Sequence, residues 1–255
     1  MRTLIFGSFI LAVLLLLCGF SELEDSTVHA DDTRTPTLFI AGDSTATKHI
    51  NRPRQGWGEV LGEYLNQQQV SIDNRAVAGR SSRTFISQGH WQKLLDDVTA
   101  GDTVLIQFGH NDVFPINDET RAKGVLPGIG ENSVDIVNML TKTAETVYSY
   151  GHYIRKMIED TRAKKATPIL ISLTVRNLWQ DGRIERGLGQ YNAWLYQVAI
   201  EQNTQFIDIT NSMADQLEAM GINKTARLYP EDHTHFSRAG AHLYAQAIVT
   251  GLKGL

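Results

Sequence analysis

Cysteine is almost absent. The only one in 255 residues is Cys18, inside the first apolar run. The chain beyond residue 30 therefore has no disulfide to brace it and no thiolate to act as a nucleophile. A lipid-modified cysteine would follow a small residue, and Leu17 is not small. Proline is scarce, with six in all, and no linker or low-complexity tract divides the chain. Long apolar runs are confined to the start. Arg2 precedes a nearly continuous apolar stretch from Leu4 to Leu17, and Val28-His29-Ala30 offers small residues at a cleavage spacing. This pattern predicts a secretory leader over residues 1–30, cut after Ala30. The run is short for a membrane span, which makes an uncleaved anchor the weaker alternative. Neither sign of charge dominates. The net charge is −4, and the leader's Arg2, Glu22, Glu24 and Asp25 account for −2 of it, leaving −2 for residues 31–255. That excludes the basic excess of a nucleic-acid binder. With 42% apolar residues the chain is not disordered either. The expectation is one globular domain over 31–255, secreted or periplasmic, with no membrane contact after leader removal.

What is present is an alternation. Thr37 to Ala41 reads as a strand, and Trp57 to Asn66 as a helix. Val70 to Val77 is a second strand, followed by a small-residue turn, Ala78-Gly79-Arg80-Ser81-Ser82. Trp91, Leu94, Leu95 and Val98 mark a helix, and Thr103 to Phe108 a third strand. Residues 113–132 form a long polar loop rich in Gly and Pro, of the kind that binds ligands. Val147, Tyr150, Ile154 and Ile158 mark a long helix, Ile169 to Leu173 a fourth strand, and Tyr191 to Val198 a helix. Gln205 to Ile209 is a fifth strand, followed by a short helix through Met213, Leu217 and Met220. A final helix runs from Ala239 to Leu252. Short strands alternating with helices predict an α/β fold: a five-stranded parallel sheet between two helical layers.

Four motifs interrupt this pattern: Gly42-Asp43-Ser44, Gly79, Gly109-His110-Asn111-Asp112, and Asp232-His233-Thr234-His235. Gly42-Asp43-Ser44 alone reads as a turn. The first three motifs each follow a strand, so a parallel sheet places them along one edge. The fourth precedes the last helix and can fold over that edge. Together they supply the parts of ester hydrolysis. Ser44 is the candidate nucleophile, His235 the base that takes its proton, and Asp232 the acid that orients the base. The backbone N–H groups of Ser44 and Gly79 and the Asn111 amide are the candidate oxyanion donors.

In this arrangement the sequence resembles the SGNH (GDSL-type) hydrolases, over nearly all of the chain beyond the leader. The likeness is strongest to the rhamnogalacturonan acetylesterase branch, through residues 76–83, Leu126-Pro127-Gly128-Ile129-Gly130 and Val175-Arg176-Asn177-Leu178-Trp179. The resemblance implies a flavodoxin-like three-layer fold. It also implies a Ser-His-Asp acyl-enzyme mechanism with no metal or other cofactor, and release of acetyl groups from plant cell-wall polysaccharide. The expected partner is an acetylated polysaccharide or oligosaccharide, acted on by a monomer. Acetylxylan and other acyl esters are the alternatives within the fold. The lack of cysteines beyond the leader departs from disulfide-bearing fungal relatives.

The remaining candidates have plainer readings beside the functional ones. His233 and His235 point to opposite sides of an extended loop, and the resemblance selects His235, leaving His233 at the rim. His110 reads as a packing residue, and Asp43 and Asp112 as turn holders. Arg80, Arg83, Arg176 and Arg186 are either solvated or carboxylate-binding, a guanidinium fork being suited to galacturonate. Of these, Arg80 and Arg176 are the substrate-binding candidates. Trp179 either stacks on a sugar or plugs the core. Two rivals stand outside this reading. A two-metal phosphatase fails because Thr47 and Lys48 occupy the region of its second Asp ligand. A catalytically dead glycan-binding relative is disfavoured by the complete set of motifs.

Overall fold

The computed structural model describes residues 34–50 and 52–255; the predicted leader lies outside them. The elements in chain order are β1 (Thr37–Gly42), α1 (Trp57–Val60), continuing as a 3-10 turn over Leu61–Tyr64, and β2 (Ser71–Asn74). Then come α2 (Ser82–Ser87), α3 (His90–Asp97), β3 (Thr103–Gln107), β4 (Ser133–Val137), β5 (Ala144–Tyr148) and α4 (Tyr150–Ala163). β6 (Thr167–Ile171), β7 (Trp179–Gln180), β8 (Arg183–Ile184), α5 (Tyr191–Glu201), β9 (Gln205–Ile207), α6 (Ile209–Met220), α7 (Ile222–Ala226) and α8 (Arg238–Lys253) complete the chain.

β2, β1, β3, β6 and β9 lie side by side in that order, all parallel. This is the doubly wound arrangement. The chain turns outward from β1 to β2 and then reverses, which leaves a crevice between the carboxyl ends of β1 and β3. Side chains alternate across the sheet. Leu38 and Ile40 enter a core closed by α1, α6 and α8, with Trp57, Leu217, Tyr244 and Ile248 fully buried. Phe39 and Ala41 face the opposite core, closed by α2 to α5, with Phe85, Leu94, Ile154 and Leu195. Apolar residues on both faces of each central strand are what a covered parallel sheet requires.

β4, β5 and α2 are among the elements that the sequence expectation lacks. Val147 belongs to β5, not to the long helix, which starts at Tyr150 with Ser149 as its N-cap. β4 and β5 form an antiparallel hairpin. Of its β4 residues only Ile136 is partly covered, so no apolar alternation announces the strand. The small-residue turn after β2 passes straight into a helix, α2. Ser81 caps it by accepting from the Thr84 backbone N–H, and the Thr84 hydroxyl accepts from the Ser81 N–H in return. Thr stands here where a capping box usually carries Glu or Gln.

The hairpin holds the long loop. Arg83 on α2 is 1% exposed and forms a bidentate pair with Glu145 on β5, at 2.7 and 2.6 Å. Its remaining fork nitrogen donates to the carbonyls of Ile116 and Gly124, both at 2.8 Å. Four of its five N–H donors are engaged and the side chain is shut off from solvent, so Arg83 is neither solvated nor open to a substrate carboxylate, which corrects both readings of this residue. Removing one partner of a buried pair leaves the other charge unmatched. Arg83→Met is expected to lower the unfolding free energy by about 3 kcal/mol, measured as a shift in the urea midpoint. A change below about 1 kcal/mol, within the range of ordinary surface substitutions, would show that the loop is anchored elsewhere.

Candidate active site

The nucleophile turn is built from beneath. Asp43 is buried, and its Oδ1 accepts from the Thr45 N–H at 2.9 Å and the Thr45 hydroxyl at 2.8 Å. The Asp43 carbonyl accepts from the N–H groups of Ala46 and Thr47. Asp43 thus holds the turn, as the sequence suggested. Below it, Gln107 Oε1 accepts from Trp57 Nε1 at 2.8 Å, and Gln107 Nε2 donates to the Ser172 carbonyl at 2.7 Å. A fully buried amide bonded on both ends ties β1, β3, α1 and the end of β6 together under Ser44.

His235 reaches this turn from the far end of the chain. The next residue, Phe236, is buried against Tyr244 with ring centroids 4.4 Å apart. Burying Phe236 turns its neighbour to the outside, over the sheet edge. His235 Nε2 lies 2.8 Å from Ser44 Oγ, and Nδ1 lies 2.7 Å from Asp232 Oδ2. A carboxylate only accepts, so the proton sits on Nδ1 and the Nε2 lone pair faces the serine hydroxyl. Asp232 Oδ1 also accepts from the N–H groups of Thr234 and His235, at 2.7 and 2.8 Å. Burial pushes the Asp232 carboxyl up, but these hydrogen bonds outweigh it and hold the pKa down at about 2. The carboxylate therefore stays charged beside the imidazole.

The candidate donors lie beside Ser44. Backbone bonds from Arg75 and Val77 to β1 carry the β2 pairing past its end and bring Gly79 next to the turn. Gly79 has φ +76°, and a Cβ there would meet nothing within 4 Å. Left-handed backbone, not crowding, is the reason for glycine at this position. Among the described residues the N–H groups of Ser44 and Gly79 have no acceptor. Asn111 Nδ2 donates to the Arg80 carbonyl at 3.0 Å, and approaches Asp43 Oδ2 at 3.3 Å, beyond the usual range for such a bond.

The other candidates divide. His110 is buried, with Nε2 on Thr174 Oγ1 at 2.8 Å and Nδ1 unpartnered; burial drops its pKa to about 4, so it is a neutral packing residue. His233 is exposed, and its carbonyl accepts from the Asn177 N–H at 2.7 Å, which joins the two loops at the rim. Arg186 is committed to Asp215 and Glu218, at 2.6 and 3.1 Å, so it is not a free substrate arginine. Arg80 and Arg176 have no carboxylate at ion-pair distance among the described residues. Arg176 Nε is buried without an acceptor; burial opposes its charge and lowers its pKa, while Glu185, Asp43 and Asp232 favour the charge. Trp179 takes an intermediate position. It packs partly on the core, donates to Asn177 Oδ1 at 2.8 Å, and lines a surface depression of about 550 Å³ with Leu178 and Ile184.

Three residues were not singled out in the sequence. His49 Nε2 donates to the Ser44 carbonyl at 2.7 Å, and its ring stands edge-on to His235. Arg54 lies 3.4 Å from His235 Nδ1 and pairs with Glu231 at 3.3 Å. Lys123 Nζ donates to Asn111 Oδ1 at 2.6 Å. All three are in polar loops without periodicity, and no motif marks them.

Asp112 does not hold its own turn with its side chain. Its Oδ1 accepts from the N–H and hydroxyl of Ser82, which fastens α2 beneath the site, while Oδ2 has no partner. Burial raises its pKa from 3.8 to about 7. A folded pKa above the unfolded one means that the native state binds the extra proton. This contribution is present below pH 3.8 and is lost as pH rises through about 7. Asp112→Asn removes the dependence and keeps an oxygen for Ser82. From pH 5 to pH 8 the variant is expected to gain stability relative to the parent by at most about 3 kcal/mol, since about two pKa units lie between pH 5 and the folded value at about 1.4 kcal/mol per unit. Urea midpoints at the two pH values measure it, and a constant difference would refute the assignment.

Residues 40–243 match the GDSL-like lipase/acylhydrolase family. The rhamnogalacturonan acetylesterase RhgT of Bacillus subtilis is 32% identical over 236 residues, covering 86% of this chain and 90% of the relative. The rhamnogalacturonan acetylesterase of Emericella nidulans is 30% identical over 214 residues, covering 84% and 83%. Among solved structures, the protein YxiM of Bacillus subtilis superposes with a TM-score of 0.68 at 24% identity, over 86% of this chain and 56% of that one. An acetyl-xylooligosaccharide esterase of Geobacillus stearothermophilus superposes at 0.60 with 21% identity, over 85% and 94%. At these identities the two structures speak for the fold.

Proposed function

From the premise that this chain belongs to the GDSL-like lipase/acylhydrolase family and is an esterase, we propose that it removes acetyl groups from acidic plant cell-wall polysaccharide, rhamnogalacturonan foremost. The observation that carries the reading is the hydrogen-bonded series Ser44 Oγ, His235 and Asp232, set beside two unengaged backbone N–H groups. His235 accepts the Ser44 proton as the oxygen attacks the acetyl carbonyl. Asp232 keeps the imidazole in the required tautomer and stabilises its charged form. The oxyanion accepts from the Ser44 and Gly79 N–H groups and from Asn111 Nδ2, whose second hydrogen makes only a long contact to Asp43. His235 then protonates the departing sugar hydroxyl, and water releases acetate by the same route. The reading assigns residues 31–255 to one hydrolase domain, exported by the leader.

The acidic substrate is supported by two kinds of observation. The relatives are named for rhamnogalacturonan, and Arg80 and Arg176 stand at the sheet edge without carboxylate partners of their own. A guanidinium free of internal pairing is available for a uronate.

Ser44→Ala is expected to abolish acetate release and fluorophosphonate labelling while leaving the thermal midpoint within about 2 °C, a shift worth no more than about 1 kcal/mol for a chain of this size. Retained release above about 1% of the parent rate would overturn the assignment, since loss of the nucleophile costs far more than a hundredfold. Arg80→Ala and Arg176→Ala are expected to raise KM for acetylated rhamnogalacturonan oligosaccharides about tenfold, the scale of one lost charge-assisted contact, with KM for acetylated xylooligosaccharides little changed. Equal effects on both substrates would remove the uronate contact and favour a neutral xylan substrate.

A further inference from the structure

Lys123 is a cation without a carboxylate. It comes from the long loop after β3, and among the described residues it forms no ion pair. Its Nζ donates to Asn111 Oδ1 at 2.6 Å and to the Gly79 carbonyl at 3.3 Å, and lies 4.3 Å from the centre of the Phe114 ring. These are two of the three candidate oxyanion residues, held by one ammonium group. Half-buried, it is partly stripped of water, which opposes its charge; Arg121 and Arg80 oppose it too, while Asp43 and Asp112 favour it. A surface lysine would avoid such a place.

The loop is built to hold the lysine there. On one side Ala122 takes a left-handed φ of +38°, with its N–H on Asp118 Oδ1 at 2.9 Å. On the other, a Cβ on Gly124 would stand 1.7 Å from the Phe114 carbonyl oxygen, so only glycine fits. Gly124 N–H donates to the Pro115 carbonyl at 2.9 Å, and its own carbonyl accepts from buried Arg83. The register of Lys123 is therefore fixed on both flanks.

Resting on the esterase reading above, we infer that Lys123 is a positioning residue for the oxyanion hole, holding the Asn111 amide with its oxygen toward Nζ, so that Nδ2, which keeps one hydrogen on the Arg80 carbonyl and makes only a long contact to Asp43, is the end available to the oxyanion. The physical reason is the two-fold ambiguity of an amide. Flipped, Asn111 would turn its oxygen to the Arg80 carbonyl and the Asp43 carboxylate, and its donors to an ammonium. Lys123 makes that state costly. It also draws electron density from the amide oxygen, which strengthens the N–H donors opposite.

The test uses 4-nitrophenyl acetate, a neutral ester with no carboxylate for a cation to bind. Lys123→Met keeps an unbranched apolar side chain and removes the ammonium together with its contacts to Asn111, the Gly79 carbonyl and the Phe114 ring. It is expected to lower kcat about 10- to 50-fold, somewhat less than loss of an oxyanion donor itself, with KM within about threefold and an unchanged or higher thermal midpoint. Asn111→Ala is expected to lower kcat about 100-fold, and adding Lys123→Met to it is expected to cost less than about twofold more, because a positioning residue acts through the group it positions. Multiplicative losses in the double variant, or an unchanged kcat in Lys123→Met, would overturn the inference. So would a rise of KM for acidic oligosaccharides alone, which would make Lys123 a substrate contact. Should Lys123→Met not fold, Lys123→Gln is measured in the same way. Failure of the esterase reading is distinct: the parent itself would neither hydrolyse the ester nor label at Ser44.

Discussion

A carboxylate buried at the edge of a sheet must be supplied with hydrogen-bond donors, and the site is arranged around that demand. Asp43 takes two donors from Thr45, one residue beyond Ser44, and a third, longer contact from Asn111 at the end of β3. Satisfying Asp43 therefore closes the turn that presents Ser44. The same bonds draw the third motif against the first. Gln107 adds a second buried polar group, its oxygen accepting from Trp57 and, at 3.3 Å, from Thr45 in the turn itself, and its nitrogen donating to the Ser172 carbonyl. Rigid support of this kind is what a nucleophile needs, since misplacement by about 1 Å can cost about a hundredfold in rate.

The charges around the site sort by whether they are internally matched. Arg83 and Arg186 have carboxylate partners and serve the fold. Arg80, Lys123 and Arg176 have none at ion-pair distance among the described residues, and all three are at the carboxyl edge of the sheet. Unmatched cations near a crevice raise the local concentration of anions and favour developing negative charge. One reading of the site therefore covers both parts of the chemistry: cations at the rim recognise uronates, and a cation within supports the oxyanion. The buried pair of Arg83 and Glu145 makes the second possible, because it pins the loop that carries Lys123.

Much of this was legible in the residues. The five sheet strands follow from short apolar runs, and the sheet edge from where Gly42-Asp43-Ser44, Gly79 and Gly109-His110-Asn111 interrupt them. Other parts left no mark. The β4–β5 hairpin is exposed, so its strands lack the alternation that burial imposes. Helix α2 is six residues long, too short to show a period, and only the reciprocal Ser81–Thr84 cap announces it. The arginines were indistinguishable as sequence. Whether a guanidinium faces substrate or an internal glutamate depends on Glu145, 62 residues away from Arg83.

The sequence by itself determined the order of the five sheet strands and the main helices between them, the family, and the residue types that ester hydrolysis requires, because those are written in local periodicity and short motifs. Tertiary structure decided which of those residues meet. Burial of Phe236 swings His235 over Ser44, 191 positions away in the chain, and a left-handed turn at Ala122 aims Lys123 at Asn111. Such contacts depend on which side chain the core takes in and which it turns out, a choice made by packing between distant segments and not by any one of them.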